Sequence, residues 1–325
     1  MAANASSHAP RDLSNLVRAR AGLLHALAHH PSWTAIEARI ADRLRTHFAD
    51  VPPELRRIDA SASDAILNQI IHYEAVHEIR SLRDLWRRLE SDRRCYGLFS
   101  ESMPDEPLVF TEVALTPRVV TDVGLILDAD SPVVDPGACT CAMFYSISSC
   151  HEGLRGVPLG GVLIRRVLDR LQREWPRLRT FATVSPVPGF RPWLNHLART
   201  QGGELSQIMS WLDESTWLRD PELGARVESA LLPLCASYLI HAKRGAEPLD
   251  AVARFHLGNG ARLERINWLG DRSAAGLARS AGITANYVYD PSQMDSNHDV
   301  YSRTRTMFVA PRVTVLAHGA AAHVA

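Results

Sequence analysis

The chain has 325 residues, of which 46% are hydrophobic and 22% charged, with Lys+Arg and Asp+Glu equal at 36 each. That is enough chain to bury the core of one large domain or two moderate ones, and its even charge leaves no electrostatic footprint for nucleic acid or an anionic membrane. No uninterrupted apolar run of about 18 residues occurs, so no membrane-spanning helix is expected.

Residues 1 to about 10 are small and polar and are expected to be disordered. The start lacks the build of a signal peptide, and the end, His323-Val-Ala325, lacks an address of the Ser-Lys-Leu type, so the cytoplasm is the expected compartment. Asp12 is placed to cap a first helix with Leu13, Leu16, Val17, Leu24 and Leu27 on one stripe, closing at His29-His30-Pro31. Ser32 is placed to cap a second, with Trp33, Ile36, Ile40 and Leu44. Two short amphipathic helices cannot make a core alone. Residues 1–51 are therefore read as a small helical N-terminal domain that docks on the rest or on another subunit, an oligomerisation element.

Val51-Pro-Pro53 is a joint, and residues 52–325 follow as the main domain. A strand is expected at Leu55–Ile58, a helix capped by Ser63-Asp64, a further helix over Leu82–Leu89, and a hairpin from Arg94–Phe99 and Pro107–Leu115. The basic pairs Arg87-Arg88, Arg93-Arg94 and Arg165-Arg166 read mostly as solvated helix faces. Asp128–Pro136 reads as loop. The five cysteines are an odd number without framework spacing, which suits a reducing compartment. Cys139 and Cys141, with Cys150-His151, do not form the two spaced ligand pairs of a closed zinc site, so no metal is expected.

Residues 141–190 form the centre of the pattern. Ala142-Met-Phe-Tyr-Ser-Ile-Ser-Ser149 is a buried strand, and Gly153-Leu-Arg-Gly-Val-Pro-Leu-Gly-Gly161 is a glycine-rich loop. From Pro158 a helical period sets Leu159, Val162, Leu163, Val167, Leu168 and Leu171 against Arg165, Arg166, Asp169, Arg170 and Arg173. Thr180–Ser185 returns as a strand, giving a βαβ unit with a right-handed crossover. A glycine loop before a helix aims free N–H groups and the positive end of the dipole at an anion, and Arg155 adds a charge that grips phosphate.

Ser185 lies where Pro186 and Pro188 remove backbone donors, so the strand is expected to end there and open a cleft. The serine is either a ligand contact or a Ser-Pro turn residue. Helices with structural tryptophans are expected as an insertion around 193–250. His256, in an apolar run before Gly258-Asn-Gly260, is either a satisfied core histidine or the proton donor of a cleft. The flanks of that turn make two strands or a helix-to-strand junction. A helix from Ser273 to Gly282 and a strand at Ala285–Tyr289 follow, and beyond Asp290 a loose polar tail is expected up to Thr304–Val309.

At these residues the chain resembles the malonyl-CoA decarboxylase family. The resemblance rests on Phe144-Tyr-Ser-Ile-Ser148, Gly153–Gly160, Leu171-Gln-Arg-Glu-Trp-Pro176, Ser185-Pro-Val-Pro-Gly-Phe190, Phe255-His-Leu-Gly-Asn-Gly-Ala261, Arg265-Ile-Asn-Trp268, Ala285-Asn-Tyr-Val-Tyr289, Tyr73-Glu-Ala-Val-His77 and Pro107–Leu115. It implies an α/β (α+β) fold with a GNAT-like mixed sheet and covering helices behind a helical N-terminal segment. It also implies conversion of malonyl-CoA to acetyl-CoA and carbon dioxide, with the CoA thioester as substrate and no further cofactor. Ser185 and His256 fall on the family's catalytic positions, and Ser146 and Tyr289 on positions lining its site. Arg155, Gly156, Val157, Pro158, Leu159, Gly160 and Gly161 fall on its CoA-diphosphate loop, with Pro158 where some members carry a glutamate. The implied assembly is a homo-oligomer, a dimer or tetramer, acting in fatty acid metabolism without nucleic acid or membrane. Two other readings keep the fold: a GNAT-type acyltransferase, and a non-catalytic malonyl-CoA-binding regulatory protein.

Overall fold

The computed structural model describes residues 9–320, with side chains from Leu13 onward. The chain gathers into two compact units. The first holds residues up to Leu115 with Pro132–Cys139 and Phe144–Leu178, and the second holds Thr116–Ser131, Thr140–Met143 and Arg179 onward.

The first unit opens with helices α1 (Ala9–Ala26) and α2 (Thr34–Asp50). Strand β1 (Glu54–Ile58), helices α3 (Asp64–Tyr73) and α4 (Leu82–Arg88), strands β2 (Arg93–Phe99) and β3 (Val109–Thr116), strand β4 (Cys141–Ser149) from Phe144 on, and helix α6 (Leu159–Glu174) complete it, α5 (Gly124–Leu127) belonging to the second unit. The strands pair in the order β1-β2-β3-β4, β1-β2 and β2-β3 antiparallel. Ser63 and Ser81 cap α3 and α4, each hydroxyl accepting a first-turn N–H. Ile58, Leu67, Ile70, Leu85, Cys95, Phe99 and Phe110 share one buried cluster beneath these elements.

Several expectations need correction here. Helix α1 begins at Ala9, so Asp12 lies inside it rather than before it, and the expected disorder of residues 1 to about 10 falls, up to residue 8, outside the described residues. Ser32 sits in a short 3-10 turn, and α2 starts at Thr34 with no side-chain cap. The helices of residues 9–50 group with β1, β2, nearly all of β3, β4 from Phe144, and α6 in the first unit. Gly153 explains the docking of α1: a Cβ there would lie 1.9 Å from the Val17 carbonyl oxygen, and Arg20 donates to the Gly153 carbonyl at 2.7 Å.

Arg87, Arg88, Arg93 and Arg94 are buried, not solvated. Arg87 and Arg93 pair with Asp92 at 2.7 and 2.8 Å, Arg88 with Glu112 at 2.7 Å, and Arg94 with Glu174 at 3.1 Å. Arginine enters a core only with its charge matched. The partners of Arg88 and Arg94 stand 24 and 80 positions away, out of reach of a local reading.

The second unit contains β5 (Thr180–Thr183), β6 (Ser185–Pro186), α7 (Phe190–Gln201), α8 (Gly203–Glu214) and α9 (Pro221–His241). There follow the short hairpin β7 (Lys243–Arg244) and β8 (Glu247–Pro248), α10 (Ala251–Gly258), β9 (Arg262–Asn267), α11 (Ala274–Ser280), β10 (Thr284–Tyr289), α12 (Met294–Thr304) and α13 (Pro311–His318). Strand β10 pairs antiparallel with β9 along one edge and with β5 and then β6 along the other. Helix α9 has the length and apolar composition of a membrane span, unlike the expectation from uninterrupted runs. Its Val227, Leu231, Leu234, Cys235, Tyr238 and Leu239 are buried, and it packs on α7, α13 and β9. The stretch after Asp290 is not loose. Helix α12 buries Met294, Asn297 and Tyr301 and packs on α10, while α13 packs on α9 and β9.

Replacing Gly153 by Ala drives a methyl into the α1 backbone. Urea unfolding of that variant is expected to show a loss of about 1–3 kcal/mol, the usual cost of overpacking, with earlier proteolysis within α1.

Candidate active site

In the second unit, Asp250 caps α10 by accepting the N–H groups of Val252 and Ala253 at 3.0 and 2.9 Å. It also accepts from the Gly189 N–H at 3.3 Å and the Tyr238 hydroxyl at 3.4 Å. This carboxylate ties the α10 start to the turn after β6, and burial raises its pKa against those four hydrogen bonds. A Cβ on Gly189 would meet the Tyr238 hydroxyl at 2.1 Å, so the close approach needs glycine.

Helix α10 then carries His256 in its last turn, with the side chain buried. Its Nε2 lies 3.0 Å from Ser185 Oγ and its Nδ1 lies 2.8 Å from the Tyr289 hydroxyl. Tyr287 and Tyr289 lie two apart on β10 and so project to one face. The Tyr287 ring stacks on the imidazole at 4.6 Å between centroids, and the Tyr289 ring meets it edge-on.

Ser185 does not end the pairing as expected. Ser185-Pro186 forms β6 and faces Ala285 and Thr284 of β10. The interruption comes one residue earlier, between β5 and β6, although the register of β10 runs on unbroken from β5 to β6. The bulge at Asn286/Tyr287 lies on the other edge of β10, where β9 carries Glu264 as the extra residue. Side chains replace the missing ladder bonds between β5 and β6. Thr183 Oγ1 accepts the Tyr287 N–H at 3.1 Å, and Asn286 Nδ2 donates to the Thr183 carbonyl at 2.5 Å. Asn267 donates to Asn286 Oδ1 at 2.9 Å and to Thr284 Oγ1 at 3.1 Å, locking the amide. Ser185 is thereby held in register on β10, with its hydroxyl toward the imidazole. Ser185 also donates to Thr183 Oγ1 at 2.9 Å.

Burial alone pushes the His256 pKa down from 6.5 to about 3, so the imidazole is neutral near pH 7. Burial pushes the Tyr289 hydroxyl up, so it is protonated at rest near pH 7.

The remaining expected residues lie in the first unit. Ser146 on β4 is buried and donates to Glu74 Oε2 at 2.6 Å, beside Ser148 at 3.2 Å. Glu74 Oε1 accepts the N–H groups of Val76 and His77. The loop Arg155–Gly161 runs into α6 with Pro158 at the cap position and Gly156 at φ +76, a left-handed conformation that favours glycine. Arg155 is largely exposed and paired with Glu152 at 2.7 Å. Val157 and Leu159 are buried, and Pro158, exposed at the surface, starts the helix.

Sequence reasoning missed Glu74, Thr183, Tyr287 and Asp250 as site-builders. Asp250 was within reach, since an acidic residue before Ala-Val-Ala is an N-cap signal. The five cysteines are buried with none in a disulfide, and among the described residues no group of three or more His, Cys, Asp or Glu could hold a metal ion.

Comparisons with known proteins bear on this geometry. The family model for the malonyl-CoA decarboxylase C-terminal domain matches residues 53–324. The chain belongs to the malonyl-CoA decarboxylase family. Its structure resembles that of malonyl-CoA decarboxylase from Agrobacterium vitis with a TM-score of 0.88 at 38% identity, covering 95% of this chain and 77% of that one. The mitochondrial malonyl-CoA decarboxylases of Anser anser anser and Mus musculus are 34% and 32% identical over 92% and 93% of this chain. The chain spans about two thirds of their length, 65% and 67%.

The depressed His256 pKa has a consequence for stability. Between about pH 6.5 and 3 the unfolded chain binds a proton at His256 that the folded chain refuses, so this group lowers stability as pH falls through that window. Urea titrations across it are expected to show a slope shallower by up to about 1.4 kcal/mol per pH unit for His256→Asn than for the parent.

Proposed function

We propose that the chain decarboxylates malonyl-CoA to acetyl-CoA and carbon dioxide, using Ser185 and His256 at the acyl end. The observation that carries this reading is the buried contact of 3.0 Å between Ser185 Oγ and His256 Nε2, formed by residues 71 positions apart. Their motifs belong to a family whose members are named for this reaction.

The C–C bond to the carboxylate breaks and its electron pair passes to the thioester carbonyl, giving an enolate. The thioester is itself the electron sink, so the reading needs no prosthetic group. What the protein must supply is orientation of the carboxylate out of the carbonyl plane, hydrogen bonds to the growing oxyanion, and a proton for the carbon. Ser185 contacts the malonyl group and His256 supplies the proton, with Tyr289 supporting the imidazole. Ser146, held by Glu74, is assigned to the polar wall. The low dielectric around His256 strengthens any donor aimed at the oxyanion.

The diphosphate of CoA is assigned to Arg155–Gly161. Gly156 in its left-handed conformation and the amino end of α6 support this, since the first-turn N–H groups of a helix have no partner within it. Arg155 would exchange Glu152 for a phosphate oxygen. The homo-oligomeric state and cytoplasmic location belong to the same proposal.

Carbon dioxide release from malonyl-CoA tests the reaction. Ser185→Ala and His256→Asn are each expected to lower kcat about 100-fold or more, the range for a lost oxyanion donor or general acid; near-parental turnover in both removes the assignment. Arg155→Ala is expected to raise KM about tenfold, as for one charge-assisted hydrogen bond, with kcat little changed.

A further inference from the structure

We infer that Thr183 is a positioning residue that fixes His256 as the Nε2–H tautomer, by acting as the final acceptor of a one-way hydrogen-bond chain from Tyr289 through His256 and Ser185. This goes beyond the assignment of Ser185 and His256 and uses the decarboxylase reading only for what the oriented proton does.

A serine hydroxyl has one proton, and Ser185 spends it on Thr183 Oγ1 at 2.9 Å. Ser185 Oγ can therefore only accept along its contact of 3.0 Å with His256 Nε2, so Nε2 carries the imidazole proton. A neutral imidazole has one N–H, which leaves Nδ1 bare. Nδ1 then accepts the Tyr289 O–H across 2.8 Å.

Thr183 is held to this task from two sides. Its Oγ1 also accepts the Tyr287 N–H, replacing a strand bond at the gap between β5 and β6, and its carbonyl takes the Asn286 amide. Both lone pairs of Oγ1 are thus engaged by donors, and its position is set by the sheet rather than by a free rotamer. The opposite chain would have Ser185 donating to His256, as a nucleophile does to its base. Thr183 stands against that arrangement.

The direction matters for the chemistry. With Nε2–H facing Ser185, an acyl group arriving there meets a donor, able to bind the enolate oxygen and then to protonate carbon. In that step the Nε2–H bond breaks as the C–H bond forms, while the Tyr289 O–H bond breaks and Nδ1–H forms. The imidazole stays neutral by exchanging tautomers, the charge of the enolate ends on the Tyr289 oxygen, and water restores its proton after product leaves.

Nitrogen-15 NMR of histidine-labelled protein, with the His256 signals assigned by their loss in His256→Asn, reads the tautomer without substrate. The wild type is expected to show Nε2–H. Thr183→Val removes the acceptor, so Ser185 turns its proton to Nε2; the signals are expected to move to the Nδ1–H pattern and kcat to fall at least about tenfold, wrong-tautomer losses in catalytic histidines being large. Thr183→Ser keeps an acceptor and is expected to restore both the Nε2–H pattern and most of kcat. A wild-type Nδ1–H pattern, or an unchanged tautomer in a folded Thr183→Val, overturns the inference while leaving carbon dioxide release, and hence the proposed function, standing. An inactive wild type with the Nε2–H pattern does the reverse.

Discussion

The buried hydrogen bond between Ser185 and His256 is the interaction that the second unit is built to hold. Neither residue reaches it by local preference. His256 is placed by a helix whose first turn is fixed on Asp250, and Ser185 by a two-residue strand held in register against Ala285 and Thr284 of β10. Tyr287 and Tyr289, further along β10, close the imidazole in ring and hydroxyl contacts. A polar pair at this depth is tolerated because its ring nitrogens and hydroxyls have partners.

Burial sets the chemistry. A histidine on the surface would be partly protonated near neutral pH and a poor discriminator between donor and acceptor roles. Here desolvation keeps it neutral, and neutrality makes its tautomer the decisive variable. A neutral imidazole serving as electrophile at a carbonyl is a known solution to enolate chemistry. The helix-terminus loop of the first unit answers a different need, the binding of anionic cargo, and is built from different physics: left-handed glycine backbone, a proline at the cap and an exposed arginine.

Much of this was legible in the amino-acid pattern, because it depends on short-range signals. Ser63 and Ser273 before apolar periods, the Gly258-Asn-Gly260 junction, and the proline-led start of α6 all gave elements where the structure has them. What stayed hidden depends on long-range pairing. The buried arginines looked solvated because Glu112 and Glu174 are remote in sequence. The prolines after Ser185 pointed to a strand end, whereas β10 continues the pairing past it. The region beyond Asp290 looked polar because α12 buries only a narrow stripe, Met294, Asn297 and Tyr301. Thr183 carried no local signal, since its role exists only once Tyr287 and Ser185 are brought against it.

A ligand-bound structure with a malonyl-CoA analogue that cannot lose carbon dioxide is the most direct test of the account. The account predicts the thioester oxygen within hydrogen-bond distance of His256 Nε2 and the malonyl group against Ser185, with the imidazole still held by Tyr289. An analogue bound with its acyl end elsewhere, and the Ser185–His256 contact undisturbed and out of its reach, would contradict it.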